Sequence, residues 1–289
     1  MLTTPGSWLM LVVGFGLAGV AGLLGWRARQ LTPGGAFGAM LIGGLVFGFG
    51  GLVWAAALIS FFVLSSLISL LSNARKAKAQ ALADKIGPRD LAQTLANGGL
   101  AALLALAVGL VGHDSTLYPT LTLAYFGALA AATADTWATE LGMLSSQRPR
   151  LITNGRPTPA GMSGGVTTAG LIASVAGAAL LALLIFGFIQ GASLLTTGQW
   201  FLQDWFLLLV LPFGGLSGSL LDSFLGATLQ RLYYCEHCQQ PTEQSVHTCG
   251  QSTRLIHGHL WMSNDVVNFL ATCAGALAVI LASLPILIS

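Results

Sequence analysis

The sequence predicts an all-α, polytopic integral membrane protein of about eight transmembrane helices, with both termini outside and one zinc-type loop in the cytoplasm. Three observations carry that expectation. Only 8% of the 289 residues are charged, against about 25% in soluble domains, while 54% are hydrophobic and mean hydropathy is +0.77. Apolar runs of about 20 residues, the length of a bilayer-crossing helix, recur along the whole chain. Every Lys and Arg falls in alternate connections between those runs. This composition excludes a soluble enzyme, a disordered chain and a nucleic-acid binder built on a basic face. Residues 1–289 therefore read as one transmembrane domain, with 231–260 as an inserted loop.

The spans fall in order at about 7–25, 35–49, 51–72, 91–112, 117–142, 163–189, 202–230 and 264–288. The first has no basic residue before it and Arg27 and Arg29 just after it, which fits a retained span with an outside N-terminus. Its Gly14-Phe-Gly16-Leu-Ala-Gly19 follows no strand and reads as helix packing, not nucleotide binding. The stretch 34–72 exceeds one crossing. Gly48-Phe49-Gly50-Gly51 supplies a turn within it, the alternative being one long kinked helix.

The next connection, 73–90, carries Arg75, Lys76, Lys78, Lys85 and Arg89. Segment 143–162 carries Arg148, Arg150 and Arg156, and segment 231–263 carries Arg231 and Arg254. The connections near 50, at 113–116 and at 190–201 have none. The positive-inside rule then places the basic connections in the cytoplasm.

Polar groups within the spans keep to that same side. Asn97 is early in the fourth span, Asp135 and Glu140 late in the fifth, Ser163 at the start of the sixth. Asp222 is late in the seventh, and Asp265 and Asn268 open the eighth. A carboxylate at mid-bilayer costs about 2.5–3.5 kcal/mol. Four acids from three helices at one end therefore point to a shared site more than to helix ends reaching water. Asp135 and Glu140 are about 140° apart on an ideal helix, so one faces a site while the other holds a neighbouring loop, unless the helix opens.

Around Asp222 the small residues Gly215, Gly218, Ser219 and Gly226 form a stripe suited to close packing, for which an acid is not required. Asp265 and Asn268 share a face near a helix start, an arrangement able to hold a hydrated Mg²⁺. The basic, Gly/Pro-rich 143–165 connection ends in Ser163-Gly164-Gly165 at a predicted helix start. With Arg156 it forms a candidate phosphate cradle, the alternative being a loop touching anionic lipid. Arg75, Lys76 and Lys78 face the same choice between binding phosphate and setting topology.

The 231–260 loop reads Cys235-Glu-His237-Cys238 and then His247-Thr-Cys249. Thiolates and an imidazole at this spacing suit tetrahedral, structural Zn²⁺. Cys235, Cys238, His247 and Cys249 make the expected set, with His237, His257 and His259 as alternates for the nitrogen ligand. A reducing cytoplasmic location weakens a disulfide reading.

Four segments together resemble one family. They are Ala134-Asp135-Thr136-Trp137-Ala138-Thr139-Glu140-Leu141-Gly142, Ser163-Gly164-Gly165-Val166, Leu221-Asp222-Ser223-Phe224-Leu225-Gly226-Ala227-Thr228, and Asn264-Asp265-Val266-Val267-Asn268. The family is the integral-membrane group that includes the phytyl-phosphate kinase of tocopherol (vitamin E) synthesis and its uncharacterised transmembrane relatives. The resemblance runs from about residue 70 to the C-terminus. Thr139 and Ser163 stand where the family usually has Ser and Asn. The zinc-type insert is similar to one found in some bacterial members and absent from others.

The resemblance implies a transferase. It would move a phosphoryl group from a nucleoside triphosphate, with CTP the expected donor, onto a phytyl or other prenyl monophosphate. Asp135, Glu140, Asp222 and Asp265 would hold Mg²⁺. Arg75, Lys78, Asn97, Arg156, Ser163, Gly164, Gly165 and Asn268 would contact phosphate or nucleotide. The site would sit at the cytoplasmic face of a plasma or thylakoid-type inner membrane. A transporter of lipid phosphates or ions, and a cytidylyltransferase making a CDP-lipid, are the competing readings.

Overall fold

A computed structural model describes residues 5–80, 87–200 and 202–288, so Lys85 lies outside the described residues. The chain begins with α1 (Trp8–Arg27) and α2 (Pro33–Leu45), the second running on through a π-turn at Val46–Gly50. Gly51, at φ 80°, ends that helix, and α3 (Leu52–Leu70) starts afresh. Residues 34–72 are thus two helices, not one kinked rod.

A short α4 (Ala74–Gln80) occupies the basic connection before α5 (Leu91–Val111). Asp90 caps α5 through a reciprocal bond pair with Gln93, which fixes where the helix begins. The central helix is α6 (Tyr118–Leu144). Around it stand α7 (Thr168–Thr197), α8 (Leu207–Thr228) and α9 (Asn264–Ile288), α8 being preceded by a 3₁₀ turn at Leu202–Phe206.

Among the described residues, seven helices are long and apolar enough to cross a membrane, against the expected eight or so. The one that falls short is α6. It packs against α3, α5, α7, α8 and α9, and every residue from Leu123 to Ala134 is buried. A helix wrapped by protein does not have to dissolve in lipid, so α6 is alanine-rich and tolerates Asp135 and Glu140. At about 1.5 Å per residue it is still about 40 Å long, as long as its neighbours require.

Small residues set these helix separations. A Cβ on Gly218 would come within 2.5 Å of the Ala131 Cβ and 2.8 Å of the Ala271 carbonyl, so α8 lies directly against α6 and α9. Outward faces are apolar instead. On α1, Val12, Leu17, Val20 and Leu24 are exposed, as are Leu110 on α5 and Leu195 on α7, forming the surface that a bilayer covers.

Two predicted boundaries move. α7 starts five residues after Ser163, because Gly164 takes a left-handed φ of 81° and Gly165–Val166 pairs as β2 with Arg150–Leu151 (β1). The helix is then capped by the Thr167 hydroxyl, which accepts the Gly170 N–H at 3.0 Å. Ser163-Gly164-Gly165 is therefore a folded loop, not a helix start. At its other end α7 runs to Thr197, well past the expected 189.

The 231–260 insert carries a three-stranded antiparallel sheet in the order β4 (Gln240–Thr242), β3 (Leu232–Cys235), β5 (Arg254–His257).

Candidate functional site

At the end of the bundle where the basic connections gather, the helices part around a cavity of about 560 Å³. Asp135 and Thr139 reach it from one face of α6, one helical turn apart. Ser219 and Asp222 come from α8, Asn97 from α5, and Asn264 and Asn268 from α9. The Ser163–Gly165 loop forms another part of the wall, and Arg29 and Arg89 also line the cavity.

The loop is seated on α8 by the absence of side chains. A Cβ on Gly164 would fall 2.5 Å from the Ala227 Cβ, and one on Gly226 would fall 2.9 Å from the Gly164 nitrogen. The backbone of α1–α2 is zipped to that before α5. Thr32 N–H donates to the Arg89 carbonyl at 3.0 Å, and Arg89 N–H donates to the Gln30 carbonyl at 3.0 Å. These bonds fix the position of the two arginines at the cavity.

Asp222 and Asp135 are both half-buried. Asp222 Oδ2 is shielded from solvent and has no hydrogen-bond partner, and the carboxyl lies within electrostatic reach of Asp135 and Glu243.

Glu140 is occupied otherwise. Its Oε1 accepts the Ser69 hydroxyl at 2.7 Å, and Lys76 Nζ lies 2.6 Å from Oε2. Lys76, 1% exposed, also donates to the Ser69 carbonyl at 2.8 Å and to the Leu71 carbonyl. Arg89 approaches the same cluster, donating to Ser69 Oγ at 3.4 Å. Burial lowers the Arg89 pKa, and the Glu140 charge opposes that shift. Glu140 thus borders the cavity while tying α6 to α3 and α4.

Of the residues singled out from sequence, Asn97, Asp135, Glu140, Ser163, Gly164, Gly165, Asp222 and Asn268 line the cavity. Asp265, Arg75 and Arg156 do not. Asn264 and Asn268, four apart, share the face that looks inward, and Asp265 is rotated about 100° away from Asn264. Arg75 is exposed on α4 and Arg156 on the 143–165 loop. Lys78 lies in α4, its side chain outside the described set.

Sequence reasoning missed Glu243, Arg29 and Arg89 as individuals, while Lys76, expected to bind phosphate or set topology, is paired with Glu140. The two arginines were visible only as part of the topology signal. Glu243 had no signal, because its role depends on how the insert folds back.

In the insert, the ligand atoms of Cys235, Cys238, His247 and Cys249 all lie within 4.8 Å of one another, as a single metal ion requires. His247 Nδ1 is 3.1 Å from Cys249 Sγ, and the Gln240 amide sits 2.9 Å from His247 Nε2, orienting the ring. That hydrogen bond from His247 pulls the Cys249 thiol down to about 6, while bonding to Cys249 pushes Cys238 up to about 11. His237, His257 and His259 stay outside the group, and Cys273 lies apart in α9. Among the described residues no other set of three or more acids, histidines or cysteines converges this tightly.

These features define a polytopic membrane protein with a polar, acid-lined cavity at one end of its bundle and a Cys/His cluster able to hold a metal. The chain belongs to the family described as integral membrane protein DUF92, whose model matches residues 16–276. It is 34% identical over 237 residues to Protein PGR of Arabidopsis thaliana, covering 76% of this chain and 78% of the relative. An uncharacterized membrane protein of Methanocaldococcus jannaschii is 33% identical over 208 residues, covering 71% and 77%. One from Synechocystis is 25% identical over 248 residues, covering 86% and 81%. No solved structure matches the chain.

Proposed function

We propose that the protein is a membrane-embedded prenyl-phosphate kinase. It would transfer the γ-phosphoryl of a nucleoside triphosphate, CTP in the first instance, to phytyl or another prenyl monophosphate. The observation that carries this reading is the meeting of Asp135 and Asp222, from separate helices, in a polar cavity that also holds Arg29 and Arg89. The basic connections surround this end of the bundle, which under the positive-inside rule supports a cavity at the cytoplasmic face, where nucleotide is available.

The residues fit Mg²⁺. Asp222 Oδ2 is a buried carboxylate oxygen with no hydrogen-bond partner, and a second carboxyl lies within electrostatic reach of it. Asp135 and Asp222 would hold the ion, which when bound neutralises charge on the transferring phosphate. Glu140, held by Lys76 and Ser69, and Asp265, turned from the cavity, are not assigned to it. In the insert, three thiols and an imidazole suit Zn²⁺, held structurally.

The chain's own groups then bind and orient. Arg29 and Arg89 offer cationic donors to phosphate, and Asn97 and Asn268 offer neutral ones. An acceptor phosphate oxygen attacks the γ-phosphorus as the β–γ bridging bond breaks. The products are a prenyl diphosphate and a nucleoside diphosphate. The acceptor is already an anion at neutral pH, so no side chain is required as general base. Positioning and charge neutralisation carry most of such a transfer. The helices around the cavity lie in lipid, which gives an isoprenoid tail its solvent.

The test uses detergent-purified protein, Mg²⁺, geranylgeranyl or phytyl phosphate, and CTP labelled at the γ-phosphate or in the base. γ-Label in a lipid diphosphate is expected. Base label in a CDP-lipid would instead make the protein a cytidylyltransferase. No turnover with any nucleotide would end the enzyme reading in favour of transport.

A further inference from the structure

We infer that Glu243 is a positioning residue of the cavity, held in place by the Cys235–Cys238–His247–Cys249 cluster, so that metal in the insert fixes the Ser163–Gly165 wall. This goes beyond the kinase reading and does not rest on it.

Glu243 belongs to the insert, yet it is 4% exposed and lines the cavity. Its Oε1 accepts the Ser163 backbone N–H at 2.8 Å, and its Oε2 accepts from the Gln230 amide at 3.1 Å. The same Gln230 nitrogen donates to Ser163 Oγ at 2.8 Å. Ser163 is therefore gripped at both backbone and side chain from outside its own loop. A carboxylate accepting a backbone N–H makes a strong, charge-assisted bond.

The other end of the linkage is the cluster. Glu243 directly follows β4. The first residue of β4, Gln240, pairs in register with Cys235, and its amide lies 2.9 Å from His247 Nε2. Two of the four sulfur and nitrogen ligands thus hold the strand that delivers Glu243. Small Cys/His modules draw most of their folding energy from the bound ion. Removing the ion releases the strand, and with it the carboxylate that anchors Ser163.

The test is amide hydrogen exchange across residues 158–166 of the full-length, Zn²⁺-loaded protein in detergent. Chelation and Glu243→Ala are each expected to speed exchange at Ser163 about tenfold, as loss of one good hydrogen bond would. The two are expected not to add, and α6 is expected to stay protected in both. Glu243→Gln keeps an acceptor oxygen for the Ser163 N–H and should retain most of the protection. Chelation that leaves exchange at 158–166 unchanged overturns the inference, as does a folded Glu243→Ala protein as protected as wild type. If Glu243→Ala loses α6 protection as well, the chelation and glutamine arms decide the matter.

Discussion

Lys76 Nζ lies 2.6 Å from Glu140 Oε2, with the two side chains 2% and 14% exposed. This buried pair joins the short α4 to the central helix beside the cavity. Breaking such a pair from one side strands the other charge, at a cost of about 3–5 kcal/mol. Glu140→Gln should therefore lower thermal stability sharply, and Lys76→Met/Glu140→Gln should recover much of the loss. A single substitution without effect on the unfolding temperature would show that water reaches the pair.

Asp135→Asn and Asp222→Asn remove charge from the cavity at nearly constant volume. Each should reduce turnover about 100-fold or more, equivalent to about 3 kcal/mol of lost stabilisation, with the unfolding temperature held or raised. Initial rates and thermal unfolding on the same preparations check this. Full activity in either variant would remove that residue from the site.

The arginines divide by position. Arg29→Ala and Arg89→Ala should raise the KM for the phosphorylated substrates. Arg75→Ala and Arg156→Ala, at exposed positions of α4 and of the 143–165 loop, should stay within about twofold of wild type, as surface substitutions usually do. Steady-state kinetics on all four separates a phosphate contact from a topology signal, and a reversed order would misplace the anion site.

Gly164→Ala meets both a left-handed φ of 81° and a contact 2.5 Å from Ala227. The expected result is a loss of about 1–3 kcal/mol and a distorted cavity wall. Gly155→Ala, also at positive φ but with open space around it, provides the control for backbone strain alone. Equal effects in the two would show that loop seating on α8 contributes nothing.

Metal analysis should find about one Zn²⁺ per chain, lost in a Cys235→Ser/Cys238→Ser pair, because removing two of four ligands leaves an open site. Wild-type protein purified without metal, and unable to take it up, would discard the zinc assignment.

Composition and periodicity were enough to define the membrane class, the helix order and the break near Gly51, because lipid solvation imposes its length and apolarity on each span separately. The Cys235–Cys249 cluster was legible for a similar reason, its four ligands lying within fifteen residues. The acids at one end were also visible, as were Asn97, Asn268 and the Ser163–Gly165 loop. What the sequence could not do was assign faces. Asp135 and Glu140 carry the same charge on the same helix, and only the arrival of Lys76 and Ser69 separates them. Asp265 paired with Asn268 in the sequence, yet Asn264 is the residue that lines the cavity with Asn268. Glu243 joins the cavity only because the insert folds back onto Ser163 and Gln230. Such assignments depend on contacts between residues distant in the chain, and those contacts exist only once the helices have packed.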